Sequence, residues 1–177
     1  MNKTVMNRTD LAKKIFEVAH LTGTFLLRSG KTSNVYFDKY QFEARPEILN
    51  AIAEQMIPLL PKGIDLLGAL EMGGIPIATA ISLKTGIPVA FLRKEAKEYG
   101  TCKFAEGPAI KGKKLVLIED VITTGGQVFL TTEMLRKEGA FVDDVLCVID
   151  RSEGKTEKLA EAHLRLRPLF TMAELLS

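Results

Sequence analysis

Leu115-Val116-Leu117-Ile118-Glu119-Asp120-Val121-Ile122-Thr123-Thr124-Gly125-Gly126-Gln127 carries the pattern from which the rest of the chain can be read. Four consecutive apolar residues, two of them β-branched, have the character of a strand buried on both faces of a parallel sheet. Glu119 and Asp120 close that strand. Small and hydroxyl residues follow, and residues 127–137 have helical spacing, with Val128, Thr131, Met134 and Leu135 on the inward face. The stretch therefore reads as strand, acidic pair, tight polar loop and helix.

Each part has a chemical use. Open α/β sheets bind ligands beyond the carboxyl ends of their strands. The backbone N–H groups of residues 123–126, ahead of a helix, form a nest suited to a phosphate, and Gly125 and Gly126 permit close approach. The hydroxyls of Thr123 and Thr124 add donors. Two carboxylates beside such a nest would repel a phosphate, so they suit a sugar diol or a metal ion. Acidic pair plus phosphate cradle points to a phosphorylated sugar. The spacing of a nucleoside-triphosphate P-loop and that of a dinucleotide fold are both absent.

The composition sets the frame. The chain has 177 residues, 46% hydrophobic and 26% charged, as expected of a single globular domain with a full core. A net charge of +2 is too small to argue for nucleic acid. No apolar run is long enough to span a membrane, and the polar start is unlike a signal peptide, so a cytoplasmic protein is expected. Cys102 falls in an expected loop and Cys147 in an expected buried strand, which argues against a disulfide. His20 and His163 are far apart without cysteine neighbours, which leaves no zinc site.

Along the chain, Thr9 is positioned to cap a first helix carrying Leu11, Ile15, Val18 and Ala19. Residues 24–28 and 35–38 then suggest a hairpin. Pro46 suits the first turn of a second helix with Ile48, Ile52, Ala53 and Met56 inward. From there strands and helices alternate: strand 66–70, helix 75–84 ended by Gly86, strand 88–92, the central unit, strand 145–149, helix 156–162, strand 164–169, and a last helix from Thr171. Such alternation implies a parallel sheet covered by helices. The hairpin precedes it and is expected to form a small lid.

Residues 93–101, Arg-Lys-Glu-Ala-Lys-Glu-Tyr-Gly-Thr, follow a strand and so lie at the ligand edge. An irregular stretch continues from them to about residue 113, and loops of that length in compact domains are usually functional or disordered. Arg93, Lys94 and Lys97 suit a polyphosphate, and a mobile basic loop can close over a departing anion.

The central stretch closely resembles the phosphoribosyl pyrophosphate signature of the type I phosphoribosyltransferases. The basic run ending in Tyr99-Gly100-Thr101 resembles the mobile catalytic loop of the orotate phosphoribosyltransferases. Residues 25–38 resemble that family's hairpin, where a basic residue precedes Ser-Gly and an aromatic pair follows. Asp150-Arg151 closes a strand as the family's orotate-contacting arginine does. The matches keep the family's order from Gly23 to Gly154. Four positions depart from it: Arg28 stands where many members have Lys, Tyr99 where many have His, Asn34 replaces a common Pro, and Gly73 sits where some members carry a Lys on the pyrophosphate.

The resemblance implies an α/β fold with a parallel sheet flanked by helices, in one domain of residues 1–177. Helix and hairpin would fill about 1–45, and the core 46–177. It implies transfer of a phosphoribosyl group to orotate with expulsion of pyrophosphate. Lys97, Glu119 and Asp120 would be catalytic. Arg93, Lys94, Lys97, Tyr99, Glu119, Asp120, Val121, Ile122, Thr123, Thr124, Gly125, Gly126 and Gln127 would bind phosphoribosyl pyrophosphate. Arg28, Tyr36, Phe37, Thr123 and Arg151 would bind orotate. Arg151 read by itself could instead be a structural partner of Asp150, and Met72 and Tyr36 could be packing residues. Mg²⁺ is implied as cofactor, held by pyrophosphate, ribose and water rather than directly by the protein. A homodimer is implied, with loop 93–107 shared across the interface. A phosphoribosyltransferase for another base, or a nucleotide-sensing regulator on the same fold, are the alternatives.

Overall fold

The computed structural model describes residues 6–26, 30–95 and 104–176. Arg28, Lys97, Tyr99 and Cys102 lie outside the described residues.

The first helix, α1 (Arg8–Ala19), is capped by Asn7, whose side chain accepts from the Asp10 N–H at 2.9 Å. Thr9, expected as the cap, lies one residue inside; the helix simply begins a turn-fraction earlier, at an equally good capping residue. Strands β1 (His20–Leu26) and β2 (Thr32–Phe37) form an antiparallel hairpin that, among the described residues, shares no ladder with the main sheet. β1 starts four residues before the expected strand, because His20 and Leu21 pair with Phe37 and Tyr36. A short helix α2 (Tyr40–Glu43), absent from the sequence reading, follows. Helix α3 (Pro46–Met56) has Pro46 in its first turn, as expected.

Among the described residues the core sheet has six strands. In chain order they are β3 (Leu66–Leu70), β4 (Val89–Leu92), β5 (Ala105–Glu106), β6 (Lys114–Ile122), β7 (Phe141–Asp150) and β8 (Arg165–Thr171). Their spatial order is β5-β4-β3-β6-β7-β8, with β5 antiparallel and the others parallel. Helices α4 (Gly74–Thr85), α5 (Gly126–Lys137), α6 (Glu157–Glu161) and α7 (Met172–Leu176) complete the fold. Thr171 caps α7, its hydroxyl accepting from the Glu174 N–H at 3.3 Å.

The apolar run of β6 explains why both faces are covered. Val116 and Ile118 join a core with α1, α3 and α4, while Leu115 and Leu117 join another with Val128, Leu135 and Leu159 of α5 and α6. Each fully buried Leu or Ile side chain contributes about 1.5–3 kcal/mol, so the central strand fixes the layer order. Its carboxyl end therefore rests on a rigid base. β6 runs two residues past the acidic pair, where Val121 and Ile122 pair with Ile149 and Asp150. Cys147 is buried in β7 as a free thiol. No helix among the described residues is long and apolar enough to cross a membrane.

Candidate active site

Four segments meet at the carboxyl edge of the sheet: the end of β6 with its loop, residues 71–74 after β3, residues 93–95 after β4, and the end of β7. Helix α5 begins at Gly126, one residue earlier than expected, and Gly125 is its left-handed N-cap with φ 70°. A side chain at Gly125 would be strained there and would also meet Leu159, whose Cδ2 lies 2.8 Å from the place of a Cβ. Glycine thus lets the loop turn tightly over α6, leaving Thr123 and Thr124 exposed. Strand, acidic pair, loop and helix follow one another in the expected order.

The acidic pair divides. Glu119 is half-buried, and its Oε2 is covered and has no hydrogen-bond partner among the described residues. Asp120 is fully buried. The Val121 N–H donates to Asp120 Oδ1 at 2.5 Å. Lys39 Nζ stands 2.6 Å from Oδ2, in an approach better described as an ion pair than as an aligned hydrogen bond. Glu43, only 7% exposed on α2, adds a third carboxyl.

Burial and the neighbouring Asp120 push Glu43 up to about 9. Burial and the charge of Asp120 push Glu119 up to about 8, with Lys39 and Lys94 pulling the other way. Burial would lower Lys39, but Asp120 and then Glu119 outweigh it and hold its ammonium above the usual lysine range. The cluster is one ammonium shared among three crowded carboxyl groups, a setting in which some carboxyls keep their protons.

Gly73 and Gly74 form the adjoining wall. A Cβ on Gly73 would overlap the Asp120 carboxylate, and one on Gly74 would overlap the Ile118 carbonyl. Glu71 reaches the basic segment, its Oε1 accepting from the Lys94 N–H at 2.6 Å. Lys94 keeps its side chain exposed. Arg93 is turned toward Glu106 of β5, Nε to Oε1 3.5 Å, and its N–H donates to the Phe104 carbonyl.

On the hairpin, the Tyr36 ring lies 5.5 Å from that of Phe25, while the Arg151 guanidinium sits over the Phe37 ring at 5.8 Å. Arg151 is exposed, and its N–H donates to the Ile122 carbonyl at 2.8 Å, which links it to the end of β6. Asp150 instead accepts from the Ser152 N–H at 2.8 Å. Among the described residues no Arg151–Asp150 ion pair forms, so the alternative reading of Arg151 as a structural partner of Asp150 is set aside.

The structure thus brings together Glu119, Asp120 and the residue 121–127 loop, with Lys94 close enough to influence Glu119 and Phe37 joined to Arg151. Arg93 points elsewhere, toward β5. Sequence reading missed Lys39, Glu43 and Glu71. Lys39 and Glu43 follow the hairpin in Asp38-Lys39-Tyr40-Gln41-Phe42-Glu43, where a charged pair flanking the buried Phe42 was the one available signal.

Comparison with known proteins decides the family. The model of the phosphoribosyl transferase domain matches residues 40–163. An orotate phosphoribosyltransferase of Nocardioides sp. is 56% identical over 165 residues, covering 93% of this chain and 92% of the relative. The chain belongs to the orotate phosphoribosyltransferases. The orotate phosphoribosyltransferase of Methanopyrus kandleri is 40% identical over 172 residues, covering 97% of this chain and 93% of the relative. Among solved structures, the Mycobacterium tuberculosis orotate phosphoribosyltransferase in complex with Fe(III) dicitrate superposes with a TM-score of 0.85 at 28% identity, covering 95% of this chain and 98% of that one. The small N-terminal hairpin and the mostly parallel sheet match the fold of that family. This carries the expected α/β fold from resemblance to finding.

Proposed function

We infer that the chain transfers the phosphoribosyl group of 5-phosphoribosyl 1-pyrophosphate to a ring nitrogen of orotate, giving orotidine 5'-monophosphate and pyrophosphate, a step of pyrimidine biosynthesis. The observation that carries this reading is the juxtaposition at one sheet edge of the acidic pair, the Gly125 cradle and Arg151 over Phe37. The cradle suits the 5-phosphate through the backbone of residues 121–127. Arg151 offers a planar fork to the carboxylate of orotate, with Phe37, Tyr36, Thr123 and Arg28 as further contacts.

The transition state gains positive charge at ribose C1 and negative charge on the departing pyrophosphate. Glu119 and Asp120 serve the first by accepting from ribose hydroxyls beside the reacting carbon, which for the fully buried Asp120 requires that the strand end be uncovered as substrate enters. Lys94, Lys97, Arg93 and Tyr99 serve the second. For Arg93 this requires release from Glu106 as the basic loop closes. The acidity of orotate's ring nitrogen means that no dedicated general base is needed.

Mg²⁺ fits this site as a substrate-borne ion. Among the described residues no group of three His, Cys, Asp or Glu is placed to hold a metal ion, whereas the Glu119 carboxyl, whose Oε2 has no hydrogen-bond partner among those residues, would accept from one of the ion's waters once substrate has opened the site. Mg²⁺ is ordinarily bound in this way, through substrate phosphates and retained waters. When bound, it supplies Lewis-acid stabilisation of the leaving group.

The single domain of residues 1–177 acts as a homodimer in which loop 93–107 of one subunit closes over the other's site. Lys97→Ala and Asp120→Ala chains, each nearly inactive, then regain activity on co-refolding. A mixture no more active than its parents, with mixed dimers present, contradicts sharing. The reaction itself is tested by following orotate consumption with phosphoribosyl pyrophosphate and Mg²⁺, with orotidine 5'-monophosphate identified as product. Turnover that persists in excess chelator, or its absence with Mg²⁺ present, overturns the reading.

A further inference from the structure

We propose that Lys39 is a positioning residue for the transfer reaction, holding the Asp120 carboxylate in its seat at the end of β6 and tying it to the hairpin that carries Tyr36 and Phe37. This rests on the reaction assigned above.

The geometry is specific. Asp120 has no exposed surface, and its two oxygens are held from opposite origins: Oδ1 by the N–H of the next residue and Oδ2 by the Lys39 ammonium at 2.6 Å. The backbone contact is local and would survive many rotations of the strand end. The lysine contact comes from a distant segment and fixes which way the second oxygen points. Gly73 closes the remaining side, since nothing larger fits against that carboxylate.

Charge explains why a cation is needed. Three carboxyl groups, those of Glu43, Glu119 and Asp120, crowd one partly buried place. An uncompensated carboxylate there is costly, and it would take up a proton or swing away. Either outcome removes an acceptor from the ribose end of the site. The Lys39 ammonium meets that crowding directly, 2.6 Å from Asp120 Oδ2, without giving the cluster an excess of positive charge, which an oxocarbenium-like ribose would oppose.

Placement explains the second part. Lys39 lies two residues after Phe37, at the junction of β2 and α2, where the Asp38 N–H donates to the Ala19 carbonyl at 2.8 Å. Among the described residues the hairpin shares no ladder with the core sheet. Lys39 is thus an ionic tie from its base to the strand end that faces the ribose.

The test is a double-mutant cycle. Lys39→Met keeps the aliphatic stem and removes the charge. It is expected to lower kcat/KM for phosphoribosyl pyrophosphate at least about tenfold, as loss of a charge-assisted contact does. In an Asp120→Asn background the same change is expected to cost less than about twofold, because the group through which Lys39 acts is already neutral. Equal losses in both backgrounds, or no loss in the first, overturn the proposal. Melting temperatures identify folded protein. If Lys39→Met does not fold, Lys39→Ala is assayed with added n-propylammonium. Lys39 has a third of its side chain exposed, which gives the amine a way in, and recovered turnover supports the contact. Folded protein without recovery overturns it. If the unaltered protein does not turn orotate over, the functional reading fails by itself. Calorimetric binding of phosphoribosyl pyrophosphate across the same four proteins then decides the Lys39 claim separately, equal binding by all four overturning it.

Discussion

Gly73 and Asp120 meet so closely that no side chain fits between them: a Cβ on Gly73 would overlap the Asp120 carboxylate. This gives the glycine a physical reason at a position where some family members carry a lysine. Here the space is used by an acid that Lys39 holds from another side. Gly73→Lys is therefore expected to displace Asp120 rather than to add a pyrophosphate contact. Steady-state kinetics should show kcat reduced at least about tenfold, with overpacking costing about 1–3 kcal/mol of stability. Tighter binding of phosphoribosyl pyrophosphate with kcat retained would show that the lysine can be accommodated.

Arg151 and Phe37 make a second pair, guanidinium over ring at 5.8 Å. Arg151→Ala should raise the Michaelis constant for orotate roughly thirtyfold, for a charge-assisted hydrogen bond worth about 2 kcal/mol. The constant for phosphoribosyl pyrophosphate should move far less. Arg151→Lys should restore only part of the loss, because an ammonium lacks the planar fork. Equal rises in both constants would make Arg151 a support for the loop it touches through Ile122.

Glu43 gives a stability signature. Burial and Asp120 push its carboxyl up to about 9 from an ordinary 4.5. Between those values the folded protein keeps a proton that the unfolded chain releases, so the contribution of Glu43 to stability is full below the lower value and is lost as pH rises through the upper one. Glu43→Gln mimics the protonated acid and removes this dependence. Its melting temperature relative to the unaltered protein should rise steadily from about pH 5 to about pH 9. A difference constant across that range would mean that Glu43 is ionised in the folded protein. A residual slope of the same sign is expected from Glu119, which is also driven up.

Gly125 should be intolerant of any side chain. With φ 70° and Leu159 directly beneath it, Gly125→Ala meets both backbone strain and a clash. The left-handed conformation alone costs about 1–2 kcal/mol. Weaker binding of phosphoribosyl pyrophosphate, with orotate affinity little changed, is the kinetic expectation. An unchanged constant for phosphoribosyl pyrophosphate would remove the cradle from the 5-phosphate.

The parts legible in the sequence are those with a local cause. Residues 115–118 form a continuous apolar run because the strand is covered on both sides, and the α5 face repeats with helical period because one stripe meets the sheet. Pro46 and Gly86 mark helix ends by their own backbone preferences, and Gly86 indeed adopts φ 75°. The acidic pair and the loop were legible because carboxylates, hydroxyls and glycines stand together in one short segment. Lys39 and Glu43 were not, since the contact that gives them meaning spans from the hairpin to β6, and α2 is too short to show a period. Arg93 could be placed at the ligand edge from its position after β4, but not its turn toward Glu106, which depends on the small antiparallel strand β5. Asn7 rather than Thr9 caps α1 because two good capping residues lie close together, and local preference does not choose between them.

The central claim, transfer to orotate, is tested most directly by specificity. With phosphoribosyl pyrophosphate and Mg²⁺ held constant, kcat/KM is measured for orotate, uracil, adenine and hypoxanthine in turn. Uracil is the sharpest comparison, since it keeps the pyrimidine ring and lacks the carboxylate that Arg151 would receive. Orotate is expected to exceed every other base by at least about thirtyfold, and the gap to uracil to narrow in Arg151→Ala. Comparable turnover of adenine or uracil by the unaltered protein would contradict it.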